Sequence, residues 1–332
     1  MPSHRRALVT GTLFAATAGL MWGLVFVAPL LLPQYPAALL AMARYLAFGL
    51  IAVPLAWLDR QRLATLRRAD WLEALKLSSI GNLLYYLCLA SAIQRAGAPL
   101  PTMLIGTLPV VIAIVSNRRN AARDGRLRWR QLGPSLLLIG AGIACVNHDE
   151  MQALQGADAA TWKRYASGAL LAVGAVACWT WYPLRNADWL RAHADRPPRT
   201  WATAQGLATL PLAALGYVAF WGWTALSGSP GGNADVARAF SMPLGPTPLH
   251  FVALMFTIGL SASWLGTLCW NEASQRLPTT LAGQLIVFET LSALAYAYLL
   301  RGQWPPLATA AGVLLLVAGV MWALRARPLA AN

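Results

Sequence analysis

The chain has 332 residues, of which 58% are hydrophobic and only 11% are charged, whereas roughly a quarter of the residues of a soluble domain are charged. This composition excludes a soluble enzyme, a disordered protein and a fibrous protein. In a soluble protein the formal net charge of +14 would suggest nucleic acid. Here the basic residues lie in short segments between apolar runs, as in membrane proteins, so we predict no nucleic-acid partner.

Ten mainly apolar runs follow one another along the chain, and a membrane-spanning helix needs about 20 such residues. The runs are continuous and do not alternate in polarity, which excludes a membrane β-barrel. We therefore predict an all-α polytopic membrane protein with ten transmembrane helices. The predicted spans, numbered 1 to 10, are residues 7–31, 36–57, 71–94, 99–117, 132–147, 165–188, 201–223, 249–271, 279–300 and 305–323.

The positions of Lys and Arg predict how these spans are oriented. With a cytoplasmic N-terminus, 20 of the 26 Lys and Arg residues lie in cytoplasmic segments, five in outside segments and one, Arg44, inside a span. Cytoplasmic loops are richer in Lys and Arg than outside loops, so we expect both termini to be cytoplasmic. Because Arg is used in preference to Lys and Ala is abundant, we expect a bacterial inner-membrane protein.

Three pairs of short segments match between spans that are five places apart. The pairs are residues 11–22 with 168–179, 88–95 with 269–276, and 133–140 with 312–319. Because five is odd, the two copies would lie in opposite directions in the membrane, which is typical of alternating-access transporters. The predicted organisation is a five-helix repeat at 1–147, an outside linker at 148–164, an inverted five-helix repeat at 165–325 with an outside loop at 224–248, and a cytoplasmic tail at 326–332.

Motifs in five of the spans carry a resemblance to a known family. They are Met21, Trp22 and Gly23 in span 1, Ala43, Arg44 and Tyr45 in span 2, Leu108, Pro109 and Val110 in span 4, residues 283–289 in span 9, and Gly312 with Gly319 in span 10. With these motifs the chain resembles, over essentially its whole length, the EamA type of the drug/metabolite transporter superfamily. The resemblance implies a ten-helix basket in which helices 1–4 and 6–9 enclose a cavity and helices 5 and 10 are more peripheral.

A narrower resemblance concerns the branch of this superfamily that exports aromatic amino acids. It rests on Trp179 with Tyr182, Tyr85 with Cys88, and Trp270 with Asn271. Near span 9 the chain departs from the family pattern, since it has Thr290 in place of the usual Pro and Arg301 in the region of a frequent Glu.

Two charged residues lie deep within predicted spans, where a charge is costly. Arg44 could bind a carboxylate or phosphate of a substrate with its guanidinium group, or it could form a structural ion pair. Glu289 could neutralise Arg44, carry a coupling proton or meet a substrate amine. The resemblance places a Glu here in members with different substrates, which favours a structural role for Glu289.

Aromatic and amide side chains of the same spans are candidates for lining a substrate cavity. The alternative is that the rings fill the bundle and that the amides bond between helices. Together with Arg44, the predicted substrate-binding residues are Trp22, Asn82, Tyr85, Tyr86, Trp179, Tyr182, Trp264, Asn271 and Gln284.

The sequence contains neither the glycine-rich phosphate loop of ATP-driven transporters nor a metal-binding spacing of His and Cys. We therefore predict no catalytic residue, no cofactor and no metal. We expect a secondary transporter that exports small metabolites by alternating access, with aromatic and other amino acids among the candidates. The alternatives are an exporter of drugs or lipophilic cations and, in another class, a lipid scramblase or channel-like protein. The expected partners are a small-molecule substrate and the lipid bilayer. The small residues of helices 5 and 10 could mediate a homodimer, or they could equally pack within one chain.

Overall fold

The computed structural model describes residues 2–119, 129–153, 155–227, 241–277 and 279–324, and within these ranges the regular structure is helical, with no β-strand. This confirms the predicted all-α class. The helices are α1 (Pro2–Gly23), α2 (Ala28–Leu31), α3 (Ala37–Leu58), α4 (Arg60–Leu63), α5 (Arg68–Leu77), α6 (Tyr85–Ala96), α7 (Pro99–Ile105), α8 (Leu108–Arg119), α9 (Trp129–Ala153), α10 (Ala159–Ala192), α11 (Pro198–Ser227), α12 (Pro248–Ile258), α13 (Gly266–Arg276), α14 (Thr279–Leu285), α15 (Val287–Arg301) and α16 (Leu307–Leu324).

Seven helical stretches in the described ranges are long and apolar enough to cross a membrane. They are Arg6–Leu31, Ala37–Leu58, Arg68–Ala96, Pro99–Ser116, Ala159–Ala192, Pro198–Leu226 and Pro248–Arg276. Shorter apolar helices lie at Gly133–Cys145 and Leu307–Gly319. These stretches agree with a polytopic membrane protein, whereas the total of ten spans in two five-helix repeats stays a prediction.

Two of the spans contain a π-helical turn of seven residues. Ser78–Leu84 joins α5 to α6, and Gly259–Leu265 joins α12 to α13. The turns are 181 residues apart, the same offset that separates the matching segments 88–95 and 269–276. π-Helical turns are rare and are found frequently at functional sites.

Two other spans are each divided into two half-helices. The break between α7 and α8 precedes Pro109, which has no backbone N–H to donate to the carbonyl oxygen four residues earlier. The break between α14 and α15 falls at Ile286, which is buried. The N-terminus of α15, the positive end of its dipole, therefore lies inside the protein.

The most extensive helix packing joins elements that are distant in sequence. The pairs are α9 with α16, α3 with α11, α6 with α10, and α1 with both α13 and α15. In terms of the predicted spans these are the pairs 5–10, 2–7, 3–6, 1–8 and 1–9. If each span is replaced by its counterpart five places away, the pair 1–8 becomes the pair 6–3, which is also present. The pairs 5–10 and 2–7 are converted into themselves.

Two predicted connecting segments contain more helix than expected. Helix α9 extends to Ala153 and α10 begins at Ala159, so the linker predicted at 148–164 is largely helical. Asp158 begins α10, because its Oδ1 accepts a hydrogen bond from the backbone N–H of Thr161 at 2.9 Å. Helix α11 likewise extends to Ser227, into the loop predicted at 224–248. The tail predicted at 326–332 lies outside the described residues.

Candidate substrate site

Glu289 is a fully buried acidic residue in the first turn of α15, directly after the break between the two half-helices. Tyr85 Oη donates a hydrogen bond to its Oε1, and Trp179 Nε1 donates one to its Oε2, each at 3.1 Å. A carboxylate is stabilised by such donors and by the positive end of a helix dipole. Helices α6, α10 and α15 therefore converge on one acidic group inside the bundle.

Five aromatic rings pack against one another beside this carboxylate. The ring of Trp179 is stacked with those of Tyr85 and Tyr182, at centroid distances of 4.6 and 5.0 Å. Trp22 meets the ring of Trp179 edge-on at 4.9 Å and lies 5.2 Å from that of Trp270. These rings, which we call the aromatic cluster, come from α1, α6, α10 and α13. A flat ligand that entered the cluster would contact both halves of the chain.

Helix α1 reaches the site because a glycine lets it approach α15 closely. A Cβ atom added to Gly19 would lie 2.6 Å from Cβ of Phe288 and 2.9 Å from the backbone nitrogen of Glu289. Ser292 Oγ donates a hydrogen bond to the carbonyl oxygen of Gly19 at 3.0 Å. Small residues permit this kind of contact between membrane helices, and here the contact fixes α1 against the backbone that carries Glu289.

Arg44 is buried in α3, with 3% of its surface exposed. Its Nε donates a hydrogen bond to Ser263 Oγ at 3.0 Å, and its guanidinium carbon lies 4.7 Å from the ring centre of Tyr45 and 4.4 Å from that of Tyr86. These rings stabilise the positive charge through cation–π interaction. Among the described residues its buried Nη1 has no hydrogen-bond partner. Arg44 therefore retains unused donors inside the protein.

No direct ion pair joins Arg44 and Glu289, both of which lie in the described ranges. Each is held by other groups, Arg44 by Ser263 and two rings, and Glu289 by Tyr85 and Trp179. A ligand with opposite charges at its two ends could therefore contact both groups without breaking a pair between them.

The polar ends of several predicted site residues are engaged in bonds between helices. Three of them are bonded to α11: Asn82 to Thr209 at 3.3 Å, Tyr182 to Gln205 at 2.8 Å and Trp264 to Thr203 at 3.3 Å. Tyr86 Oη donates to the carbonyl oxygen of Val25 at 3.1 Å. Asn271 accepts from Asn186 at 2.8 Å and donates to the carbonyl oxygen of Pro198 at 3.3 Å. The side chain of Gln284 lies outside the described part of the chain.

A buried amide network continues from Tyr182 along one side of the aromatic cluster. Asn186 Oδ1 accepts hydrogen bonds from Trp201 Nε1 at 2.8 Å and from Gln205 Nε2 at 3.1 Å. Asn186 and Gln205 were not among the predicted site residues, although both are fully buried polar residues in apolar spans. Buried amides that bond to one another join α10, α11 and α13.

Three residues of the site itself were also absent from the predicted set. Tyr45 and Trp270 adjoin Arg44 and Asn271, so the motifs that contain them were a usable signal. Ser263 lies 219 residues from Arg44 in sequence and carries no local signal. It reaches Arg44 because the second π-helical turn packs against α3.

Side chains also bond to other segments near the two ends of the helix bundle. At the end predicted to be cytoplasmic, Trp189 Nε1 donates to Asp70 Oδ1 at 3.1 Å, and Arg185 pairs with Glu73. At the other end, Tyr35 Oη bonds to the carbonyl oxygen of Leu244 at 2.8 Å. In the described residues no group of three or more His, Cys, Asp and Glu side chains is placed to hold a metal ion.

Comparisons with known proteins place this arrangement in a family. The EamA-like transporter family matches residues 9–147 of the chain. The inner membrane protein YtfF of Escherichia coli (strain K12) is 54% identical over 321 residues, which cover 97% of this chain and 97% of that protein. A solved crystal structure of a protein that is 18% identical has a TM-score of 0.64, covers 94% of this chain and 96% of that chain, and shows the same fold. The chain therefore belongs to the EamA-like transporter family.

Proposed function

We propose that the protein is a secondary transporter that exports a small metabolite with a carboxylate group and a flat apolar part, with aromatic amino acids among the candidates. The observation that carries this proposal is the buried Nη1 of Arg44, which has no partner among the described residues. An unsatisfied buried donor on a charged group is costly, and a substrate carboxylate is the natural acceptor for a guanidinium group.

The aromatic cluster supports a substrate with a ring. Its five rings are stacked, tilted or edge-on to one another, at centroid distances that favour aromatic contacts. The buried Nε1 of Trp270 is a second N–H donor for which the described residues provide no acceptor. Two unsatisfied donors and an aromatic wall match a carboxylate joined to an aromatic ring better than they match a sugar or an inorganic ion.

Transport would proceed by alternating access between two inverted five-helix repeats. Three observations support this repeat. The π-helical turns have the same offset as the matching segments 88–95 and 269–276, each half contains a broken helix, and four of the five main packing pairs are preserved when each span is exchanged with the one five places away. Transporters of this kind hold their substrate near the middle of the membrane, beside broken helices. We place the ten spans in a bacterial inner membrane with both termini cytoplasmic, in accord with the Lys and Arg distribution and with the name of the Escherichia coli relative.

A second candidate function is the export of lipophilic cations. It is favoured by Glu289, because a buried carboxylate beside several aromatic rings is also typical of a cation site. Against this reading, both carboxylate oxygens already accept hydrogen bonds from the protein, so a structural role explains Glu289 without a ligand. A coupling proton on Glu289 is a further role within either function.

The test begins with profiling of the growth medium of cells that overproduce the wild type, followed by efflux of each accumulated compound from proteoliposomes. We expect an aromatic amino acid or a related carboxylate to leave wild-type vesicles and its efflux to fall at least ten-fold in Arg44→Lys, which keeps the charge but loses the planar fork. Arg60→Lys, at an exposed arginine, is the matched control. Efflux of a lipophilic cation that depends on Glu289 but not on Arg44 would instead support the second candidate.

A further inference from the structure

A groove of about 700 Å³ runs along the side of the protein, apart from the aromatic cluster. One wall is formed by Val111 and Val115 of α8, and the other by Val173, Ala177 and further residues of α10. Val173 and Ala177 are exposed, so in a membrane this wall faces lipid. From Val173 to the last lining residue of α10 is twelve residues, which is about 18 Å of helix. The groove is thus long and apolar, with room for an acyl chain.

The groove ends among three basic side chains at the end of the protein predicted to be cytoplasmic. They are Lys76 of α5, Arg119 of α8 and Arg185 of α10. Arg119 pairs with Asp188 at 2.7 Å and Arg185 pairs with Glu73, yet each guanidinium retains further N–H donors. Lys76 is exposed and pairs with no acidic side chain of the described ranges. Three cations therefore face two carboxylates, and the end of the groove is positive.

A buried polar atom lies in the wall between these two parts. Thr180 lines the groove with 8% of its surface exposed, and its Oγ1 has no hydrogen-bond partner in the described structure. A hydroxyl without a partner is costly at this depth in a membrane, where water is absent. Thr180 is five residues from Arg185, which is about 7.5 Å along the helix axis. A ligand that contacts both side chains therefore needs a hydrogen-bond acceptor at about this distance from its anionic group.

We propose that this groove binds one anionic phospholipid from the cytoplasmic leaflet. The phosphate accepts hydrogen bonds from Lys76, Arg119 and Arg185, an ester carbonyl accepts one from Thr180, and an acyl chain lies along the valines of α8 and α10. Charge complementarity identifies this occupant, because the cytoplasmic leaflet carries anionic lipids that basic residues near the membrane surface attract. The site is separate from Arg44 and Glu289, and it does not depend on the identity of the transported substrate.

The proposal is tested by native mass spectrometry of the full-length protein in detergent, titrated with phosphatidylglycerol and phosphatidylethanolamine of identical acyl chains. We expect one tightly bound phosphatidylglycerol per chain and weaker binding of phosphatidylethanolamine. Lys76→Gln should weaken phosphatidylglycerol binding about five-fold, the loss of one basic residue near the membrane surface. The chain has only two lysines, and Lys163→Gln, at the other lysine, should leave binding unchanged.

A second pair of variants tests the apolar part of the site. Ala177→Phe fills the groove from an exposed position and should abolish tight binding of both lipids, whereas Leu170→Phe, exposed on the same helix but not in the groove, should leave both unchanged. If Ala177→Phe does not fold, Val173→Phe replaces it. Equal binding of the two lipids, equal effects of the two lysine variants, or unchanged binding in the variant with the filled groove would each overturn the proposal.

Discussion

Tyr85 and Glu289 are 204 residues apart in the chain, and the phenol of Tyr85 donates a 3.1 Å hydrogen bond to the buried carboxyl group of Glu289. The bond joins α6, which follows one π-helical turn, to the half-helix α15. With the bond from Trp179 it gives both carboxylate oxygens a donor. This relationship makes the charge of Glu289 testable, because a hydrogen bond to an ion is stronger than one to a neutral group.

Replacing Tyr85 by Phe should lower the free energy of unfolding by about 1–3 kcal/mol, since it leaves one oxygen of a buried carboxylate without a donor. Tyr86→Phe is the matched control, because Tyr86 Oη donates to a neutral backbone carbonyl; its loss should be about 0.6 kcal/mol. Unfolding in a series of denaturant concentrations measures both. Equal losses would indicate that Glu289 is neutral in the folded protein.

Adding one methyl group at Gly19 should push α1 away from the backbone of α15. A Cβ atom there would lie 2.6 Å from Phe288 Cβ, and overpacking of this kind costs about 1–3 kcal/mol. We expect Gly19→Ala to lower the melting temperature and to slow efflux. Gly140→Ala is the control, since a Cβ atom at Gly140 meets nothing within 4 Å. Because Ala has a higher helix propensity than Gly, this variant should be at least as stable as the wild type. The same melting temperature for both variants would contradict the close packing of α1 and α15.

Replacing Asn186 by Leu should destabilise the protein by about 2 kcal/mol or more, because three buried bonds are lost at once: those to Trp201, Gln205 and Asn271. Asn82→Leu removes a single described bond, to Thr209, and should cost about 0.6 kcal/mol. Thermal unfolding followed by circular dichroism compares the two. If Asn82→Leu proved the more harmful, the amide network would not be a main source of stability.

The ten-span orientation predicts which positions an impermeant thiol reagent can reach in intact cells, in a background from which the four native cysteines have been removed. Gln155→Cys and Gln303→Cys should be labelled from outside. Ala64→Cys and Asp195→Cys, exposed at the opposite end, should be labelled only after the cells are permeabilised. Labelling of Gln303→Cys only after permeabilisation would remove one span from the second half and reject the inverted repeat.

Much of the candidate site could be predicted from local patterns, and the remainder could not. Arg44 and Glu289 stand out in any hydropathy plot because charges are rare in spans, and the spacing of Trp179 and Tyr182 places them on one helix face. No such pattern shows that Trp179 is stacked with Tyr85 of another helix, or that Asn82 bonds to Thr209. These contacts join helices whose relative rotation depends on close packing and not on polarity.

The class of the protein follows from properties that are local in the chain. Run length and apolar content predict helices that cross a membrane, and the distribution of Lys and Arg predicts their direction, because the bilayer acts on each segment separately. Folding was needed to bring Ser263 to Arg44 across 219 residues and to place Tyr85 and Trp179 on Glu289. In a membrane the lipid is as apolar as most of each helix surface, so burial of apolar area does not select the helix partners. Glycines, π-helical turns and buried hydrogen bonds select them, and these contacts appear only when the helices are packed.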